Sequence, residues 1–345
     1  MYFYYDKNNK IYKSRYEAII TSEPCFFYYY DKEMSLISWT IEPKKSLQQV
    51  YKERAESIRA ENDYIILCYS GGIDSTNMLE TFYYNNIHID EILTIGALSQ
   101  DSNKGSDENM NGDIYNNVFP TLNHLYLPNT KITIKDYSEE FKDFYSSSIA
   151  KQYGTEWYKN CGSYFSIHNY FWMNIKNVLK IKNEKTAIVF GADKPNIYVK
   201  DNKFYYRFND LQMFDYGGIP LIGNTKRINF YTSHDSTELM RKQFHTLMNI
   251  QKEISARGGK WVINDQDILK KIIYPKMRHP LIFQSTKSKN NIIAKRDSFI
   301  LNKKDSDVYK IYVEGLRNFK KDMKGSLPTL QTNFMSREYY LGDFI

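Results

Sequence analysis

The chain has 345 residues, 42% hydrophobic and 25% charged, with a formal net charge of +7, a globular composition long enough for a substantial core and about two domains. No apolar run approaches the roughly 20 residues of a membrane-spanning helix, and Met1–Asp6 lacks the basic-then-apolar pattern of a secretory signal. Its three cysteines, Cys25, Cys68 and Cys161, are widely spaced with no Cys-x-x-Cys, which argues against a zinc site or disulfide framework and fits a reducing, cytoplasmic setting.

Residues 1–45 alternate short aromatic runs (Tyr2–Tyr5, Phe26–Tyr30, Leu36–Trp39) with turn signals at Asp6-Lys7-Asn8-Asn9 and Asp31-Lys32. The pattern predicts a small antiparallel β cap. Ser46–Glu61 follows as a helix, with Leu47, Val50, Ala55, Ile58 and Ala60 set among charges. Ile65–Cys68 is a short apolar run that reads as a buried strand. It breaks into Ser70-Gly71-Gly72, and a helical pattern runs from Ser75 to Tyr84.

Strand, glycine turn and helix start together make a phosphate site, because unpaired N–H groups and the positive helix end converge on one anion. Gly71 and Gly72 permit backbone angles and a closeness of approach that a Cβ forbids. Ser70, Ser75 and Thr76 add hydroxyls around the turn, and Asp74 adds a carboxylate suited to magnesium. The nucleotide-binding loop that ends in Gly-Lys-Ser/Thr is excluded, since no lysine follows Gly72.

Asp90–Ala97 is the next strand, and strand–helix–strand at this spacing implies a parallel sheet with right-handed crossovers. Ser99–Asp113 is a polar loop at a strand's carboxyl end, readable either as a lid over substrate or as plain surface. Asn123–Leu127 reads as a third strand and Lys131–Ile134 as extended. Ser138–Tyr145, Ala150–Tyr158 and His168–Ile181 read as helices, with His168 a capping or core histidine. Thr186–Phe190 is a buried strand that again ends in a glycine and an aspartate, Gly191 and Asp193. Ile197–Val199 and Phe204–Phe208 flank a turn at Asp201-Asn202-Lys203, a hairpin signal. Ser236–Ile254 is an amphipathic helix (Leu239, Phe244, Leu247, Met248, Ile250, Ile254), and residues 265–274 and 305–323 also read as helices.

Ser70-Gly71-Gly72-Ile73-Asp74-Ser75 resembles the pyrophosphate loop, or PP-loop, of the ATP pyrophosphatases, and Gly191-Ala192-Asp193 is similar to a later motif of their asparagine synthetase and β-lactam synthetase branch. Gly-x-Asp-Lys-Pro and a Lys-Gln-x-His helix like Lys242–His245 are similar to PP-loop proteins encoded by large tailed phages. The resemblance implies a HUP-like parallel-sheet α/β fold: a β cap over residues 1–45, an ATP-binding domain over 46–228 and a mainly helical substrate domain over 229–345. It implies ATP and Mg2+ as cofactors. Ser70, Gly71, Gly72, Asp74, Ser75 and Thr76 would hold the phosphates, and Cys68, Ile95, Phe190 and Gly191 would lie around the adenosine. Asp74 and Asp193 would hold the metal. After Asp193 the branch continues with Glu and a Gly-Gly pair, whereas Lys194-Pro195 stand here.

The implied activity is an AMP- and pyrophosphate-forming ligase that adenylates a small-molecule carboxylate or carbonyl for attack by ammonia or an amine. Position 2 is tyrosine and the cap is short, so no counterpart of the glutaminase domain of full asparagine synthetases is expected. A basic residue of the Pro275–Asn290 segment (Lys276, Arg278, Lys287 or Lys289) would assist the leaving pyrophosphate, with Lys287 favoured. The second reading is a PP-loop enzyme that modifies a nucleobase, tRNA or DNA. The lysine content suits it, but the cysteines its relatives use are missing. The basic balance itself accompanies many Lys, Asn, Ile and Tyr residues, which share AT-rich codons, so it is a weak argument for nucleic acid. A third reading is a protein that binds ATP without turnover, against which the two retained aspartates argue. No membrane partner is expected.

Overall fold

We describe a computed structural model of the chain over residues 2–21, 23–96, 114–136, 151, 154–160, 185–191, 197–210, 224–259, 272–274, 307–322 and 334–344. The chain begins with β1 (Tyr2–Asp6), β2 (Ile11–Tyr12), α1 (Arg15–Ile20), β3 (Cys25–Tyr29) and the helical turn α2 (Asp31–Met34). The three strands form an antiparallel sheet in the order β2-β1-β3. Alternation sets its two faces: Tyr4 and Phe27 point inward and are buried, while Phe3 stacks on Tyr28 across the pair at 4.3 Å between ring centroids. Leu36–Trp39, read from sequence as strand-like, is instead a turn. Leu36 is exposed, and the Trp39 indole pins the segment by donating to the Met34 carbonyl at 2.9 Å.

The centre of the molecule is a five-stranded parallel sheet. Helix α3 (Leu47–Glu61) leads into it, started by a capping box in which Ser46 Oγ accepts from the Gln49 N–H and Gln49 Oε1 accepts from the Ser46 N–H. Then come β4 (Tyr64–Cys68), α4 (Ile73–Tyr84), β5 (Glu91–Gly96), a π-helical turn (Ile114–Val118) that runs into α5 (Phe119–His124), and β6 (Lys131–Asp136). Beyond the short helix α6 (Trp157–Asn160) lie β7 (Thr186–Phe190), the hairpin β8 (Ile197–Lys200) and β9 (Lys203–Tyr206), and β10 (Thr225–Asn229). The sheet order is β10-β7-β4-β5-β6. The first strand, β4, is central, the next two build outward on one side, and the chain then crosses to the other. This is a Rossmann-like arrangement, and the reversal of direction falls between β4 and β7.

Residues in register on parallel neighbours share a sheet face. Ile65, Leu67, Ile92, Ala187 and Val189 belong to one buried cluster with Val50, Ala55 and Ile58 of α3 and Met78, Leu79 and Phe82 of α4. The opposite face carries Ile66, Leu93, Ile188 and Phe190, which are buried as well. Apolar side chains on both faces explain why β4, β5 and β7 read as continuous rather than alternating apolar runs.

Two further expectations need correction. Asn123–Leu127 is not a strand: α5 occupies Phe119–His124 with Pro120 in its first turn, and Leu122 and Leu125 are buried at helical spacing. The strand at that place in the sheet is Lys131–Asp136, reached in sequence as the extended Lys131–Ile134. The helix expected over Ala150–Tyr158 is interrupted at Gly154, whose φ of 60° is left-handed, and α6 starts only at Trp157. The expected helices Ser138–Tyr145, most of 265–274 and His168–Ile181, and the Ser99–Asp113 loop, lie outside the described residues.

The C-terminal region holds two long helices, α7 (Thr237–Ala256) and α8 (Asp307–Asp322), close to where the apolar stripes put them. It also returns a strand, β11 (Tyr339–Asp343), which pairs antiparallel with β9 to give a sheet in the order β11-β9-β8. No described helix is long and apolar enough to cross a membrane.

Candidate phosphate-binding site at the carboxyl end of the parallel sheet

The turn between β4 and α4 is built almost entirely from its own backbone and hydroxyls. Tyr69 leaves the sheet with its N–H on the Leu93 carbonyl at 2.9 Å, and its own carbonyl accepts from Thr94 Oγ1 at 2.7 Å. Gly71 then adopts φ of 78°, which side chains with a Cβ disfavour, and reverses the chain. Gly72 is the N-cap of α4 at an ordinary φ of −76°. Its carbonyl accepts from the Thr76 N–H at 2.9 Å, from Thr76 Oγ1 at 2.9 Å and from Ser75 Oγ at 3.0 Å. Ser75 Oγ also accepts from the Ser70 N–H at 3.2 Å and lies 3.1 Å from Ser70 Oγ. Thr76, wholly buried, has its hydroxyl 3.3 Å from that of Tyr69.

The hydroxyls of Ser75 and Thr76 are therefore committed to holding the turn in shape. Around the same turn stand the N–H groups at the start of α4, which have no acceptor within the helix, and the exposed Ser70.

Gly191 brings the end of β7 to the glycine turn. A Cβ at Gly191 would lie 3.0 Å from Ser75 Cα and 3.1 Å from the Asp74 carbonyl carbon and oxygen. These are backbone atoms of the first turn of α4, which cannot swing aside. The end of β7 thus packs directly on the start of the loop helix, at the point where strand order reverses. Cys68 is in register with Phe190 on one side and Leu93 on the other, and Ile95 follows Leu93 by two residues. Cys68, Ile95 and Phe190 consequently share one face at the carboxyl end of three adjacent strands. Burial pushes the Cys68 thiol well above its ordinary value, so it stays protonated.

Three tyrosines that sequence reasoning passed over surround Asp74. The Tyr231 hydroxyl donates to the Asp74 carbonyl at 2.6 Å and accepts from Asn77 Nδ2 at 3.0 Å. The Tyr274 hydroxyl donates to Asp74 Oδ1. Tyr51, on α3, packs against both, with ring centroids 6.0 Å from Tyr231 and 6.5 Å from Tyr274, and its hydroxyl donates to the Ile273 carbonyl at 3.1 Å. Gln243 on α7 in turn donates to the Tyr51 oxygen at 2.8 Å. Burial raises all three phenols well above their ordinary value, so they act as neutral groups. Arg54 holds the loop that carries Tyr231, with Nε on the Phe230 carbonyl at 3.2 Å and an ion pair to Asp235 at 3.1 Å. Tyr231 follows β10, whose polar sequence gave no strand signal.

Asp193 and Lys287 lie outside the described residues, as do Lys276, Arg278 and Lys289. Among the described residues no group of three or more His, Cys, Asp and Glu side chains could hold a metal ion. Asp74 supplies one carboxylate, partly exposed beside the loop. One carboxylate is compatible with magnesium, which commonly binds through one or two carboxylates, water and the phosphates of a substrate. A separate open depression of about 490 Å3, lined by Glu61, Lys185, Asn224, Thr225 and Lys226, lies at the amino ends of the strands, the wrong end for a ligand of such a sheet. Comparison with protein-family models and with curated proteins finds no match.

Proposed function

We propose that the chain binds ATP at the β4–α4 turn and is a PP-loop ligase. A substrate carboxylate or carbonyl oxygen attacks the α-phosphorus, the bond to the β-phosphate bridging oxygen breaks, and AMP passes to the substrate as pyrophosphate leaves. Ammonia or an amine then displaces AMP. The observation that carries this reading is the contact of Gly191 with the backbone of Asp74 and Ser75 beside a left-handed Gly71. The glycine that ends β7 meets the glycine turn after β4 at the strand-order reversal, where open α/β sheets bind their ligands.

In this reading the N–H groups at the start of α4 and the Ser70 hydroxyl bind the pyrophosphate and stabilise the charge that grows on it as it leaves. Asp74, with Asp193 as the second ligand that the resemblance implies, would hold a magnesium ion, which would supply charge neutralisation. Cys68, Ile95 and Phe190 offer an apolar wall to the adenine. The nitrogen donor is free ammonia or an amine.

The test is release of pyrophosphate against phosphate from ATP and magnesium, with cellular small molecules and tRNA added as separate pools. Pyrophosphate and AMP with a small-molecule pool support the ligase, and release only with tRNA moves the function to nucleic-acid modification. ADP and phosphate would overturn the assignment of the turn. Asp74→Asn, which keeps the shape and the acceptor for Tyr274, is expected to lower turnover by about 100-fold or more while the melting temperature stays near that of wild type.

A further inference from the structure

Asp74 is gripped from outside its own βα unit at both its backbone and its side chain. The Tyr231 hydroxyl fixes its carbonyl from the loop after β10, and the Tyr274 hydroxyl fixes its carboxylate from residues 272–274. Tyr274 is itself located by the packing of Tyr51 and Tyr231, with centroids 6.5 and 5.3 Å away, and by the Tyr51 hydroxyl on the carbonyl of the preceding Ile273. Gln243 carries the same chain of hydrogen bonds into α7. Such an arrangement is far more than burial of three rings needs. Each hydroxyl has a defined acceptor, and two of the three acceptors belong to Asp74.

We propose that Tyr274 is the positioning residue for cation binding at Asp74, and that through it the docking of residues 272–274 is coupled to ligand binding at the loop. This rests on the reading of the β4–α4 turn as the site of a magnesium-nucleotide. The phenol donates one hydrogen bond to Oδ1, fixes the plane of the carboxylate and brings no charge of opposite sign. That is the outer-shell role that orients oxygen ligands around metals, and losing such a partner typically lowers metal affinity 10- to 100-fold. The coupling is reciprocal: whatever binds Asp74 in the orientation that Tyr274 imposes also holds Tyr274 in place.

The experiment uses the full chain and Tyr274→Phe, which keeps the ring and removes only the hydroxyl. ATP binding is titrated by calorimetry across a range of magnesium concentrations and in EDTA, Mn2+ binding without nucleotide is followed by electron paramagnetic resonance, and melting temperature is recorded alongside. Tyr16→Phe, whose hydroxyl on α1 bonds Asp322 of α8 at 2.7 Å, is the control for loss of a phenol elsewhere. The expected result is a 10- to 100-fold weaker cation dependence in Tyr274→Phe, with ATP binding in EDTA unchanged and Tyr16→Phe like wild type. Hydrogen exchange at residues 272–274 should slow on adding magnesium and ATP to wild type, and not in the variant. Equal or tighter cation binding in Tyr274→Phe, with wild type binding magnesium-ATP normally, overturns the positioning role alone. Absence of nucleotide binding by wild type overturns the reading of the turn, and the role of Tyr274 with it.

Discussion

Asp74 and Asp210 are both reached by tyrosine hydroxyls from distant parts of the chain, and the molecule uses them in opposite ways. Asp210 is fully buried. It is ion-paired to Arg15 Nε at 3.0 Å, accepts from the Tyr4 hydroxyl at 3.2 Å and accepts from the Phe334 N–H at 2.9 Å. These partners come from α1, β1 and the segment before β11, so one carboxylate ties the first and last parts of the chain together. Its charge is matched by a cation on the spot. Asp74 is partly exposed, and what Tyr274 offers it is a neutral donor, which orients a carboxylate without cancelling its charge. A charge matched by a cation inside the protein serves stability, whereas a phenol orients a carboxylate without removing its charge.

The contrast breaks most sharply in the first prediction. Arg15→Ala leaves Asp210 buried without its cation and is expected to cost about 3–5 kcal/mol, read as a lower urea midpoint at unchanged slope. Asp74→Asn, by comparison, should leave that midpoint within about 0.5 kcal/mol of wild type, because it keeps shape and acceptor at a partly exposed position. A stability loss at Asp74 as large as that at Arg15 would mean that both aspartates are structural.

The glycines of the site sharpen the same division between structure and ligand. Gly71→Ala forces a Cβ into a left-handed residue and is expected to cost about 1–2 kcal/mol. Gly191→Ala presses a methyl group onto the backbone of Asp74 and Ser75, an overpacking of about 1–3 kcal/mol. Gly72→Ala has an ordinary φ, and its Cβ meets Ser70 Oγ at 3.5 Å, so stability should move by no more than about 0.5 kcal/mol. Its methyl group would nevertheless sit at the mouth of the turn, and ATP affinity should fall. Unfolding curves and calorimetric titrations on the same preparations separate the two effects. Unchanged ATP binding in Gly72→Ala would move the phosphates away from this turn.

Much of this was legible because it is local. The run Ile65–Cys68, the glycine pair and the helix after it lie within a few residues, and the strand Thr186–Phe190 with Gly191 repeats the pattern. Their meeting in space follows from parallel-sheet topology. What stayed hidden depends on partners far away. β10, Thr-Lys-Arg-Ile-Asn, carries too few apolar residues to read as a strand, and an edge position tolerates that composition because one side has no neighbouring strand among the described residues. β11 exists only because β9 pairs with it across more than a hundred residues, with a shift of register between Tyr340 and Gly342. Asn123–Leu127 misled because a short apolar run fits a helix end as well as a strand. Tyr231 and Tyr274 could not be picked from 31 tyrosines, since what distinguishes them is an acceptor, Asp74, supplied by another part of the chain.

The smallest expected effect concerns pH, and its sign separates a buried ion pair from an ordinary acid transition. Burial is the largest influence on Asp210 and pushes its carboxyl above the usual value, while Arg15, the Phe334 N–H and Tyr4 pull it back. Removing Arg15 deletes the strongest downward pull, so the folded-state value rises further while the unfolded value stays near 3.9. A raised carboxyl binds its proton more tightly in the folded protein. The penalty of burying it charged is therefore absent below the unfolded value, grows as the pH climbs past it, and levels off above the folded value. The stability gap between wild type and Arg15→Ala should accordingly be widest near neutral pH and narrow as the solution is acidified toward pH 4. Protonated Asp210 no longer needs a cation, although its hydrogen bonds to Phe334 and Tyr4 still favour the fold. Urea midpoints of the two proteins at pH 7, 5.5 and 4 test this. A gap that stays constant or widens on acidification would assign the loss in Arg15→Ala to packing around the guanidinium, and Asp210 would then be held by its neutral donors, as Asp74 is by Tyr274.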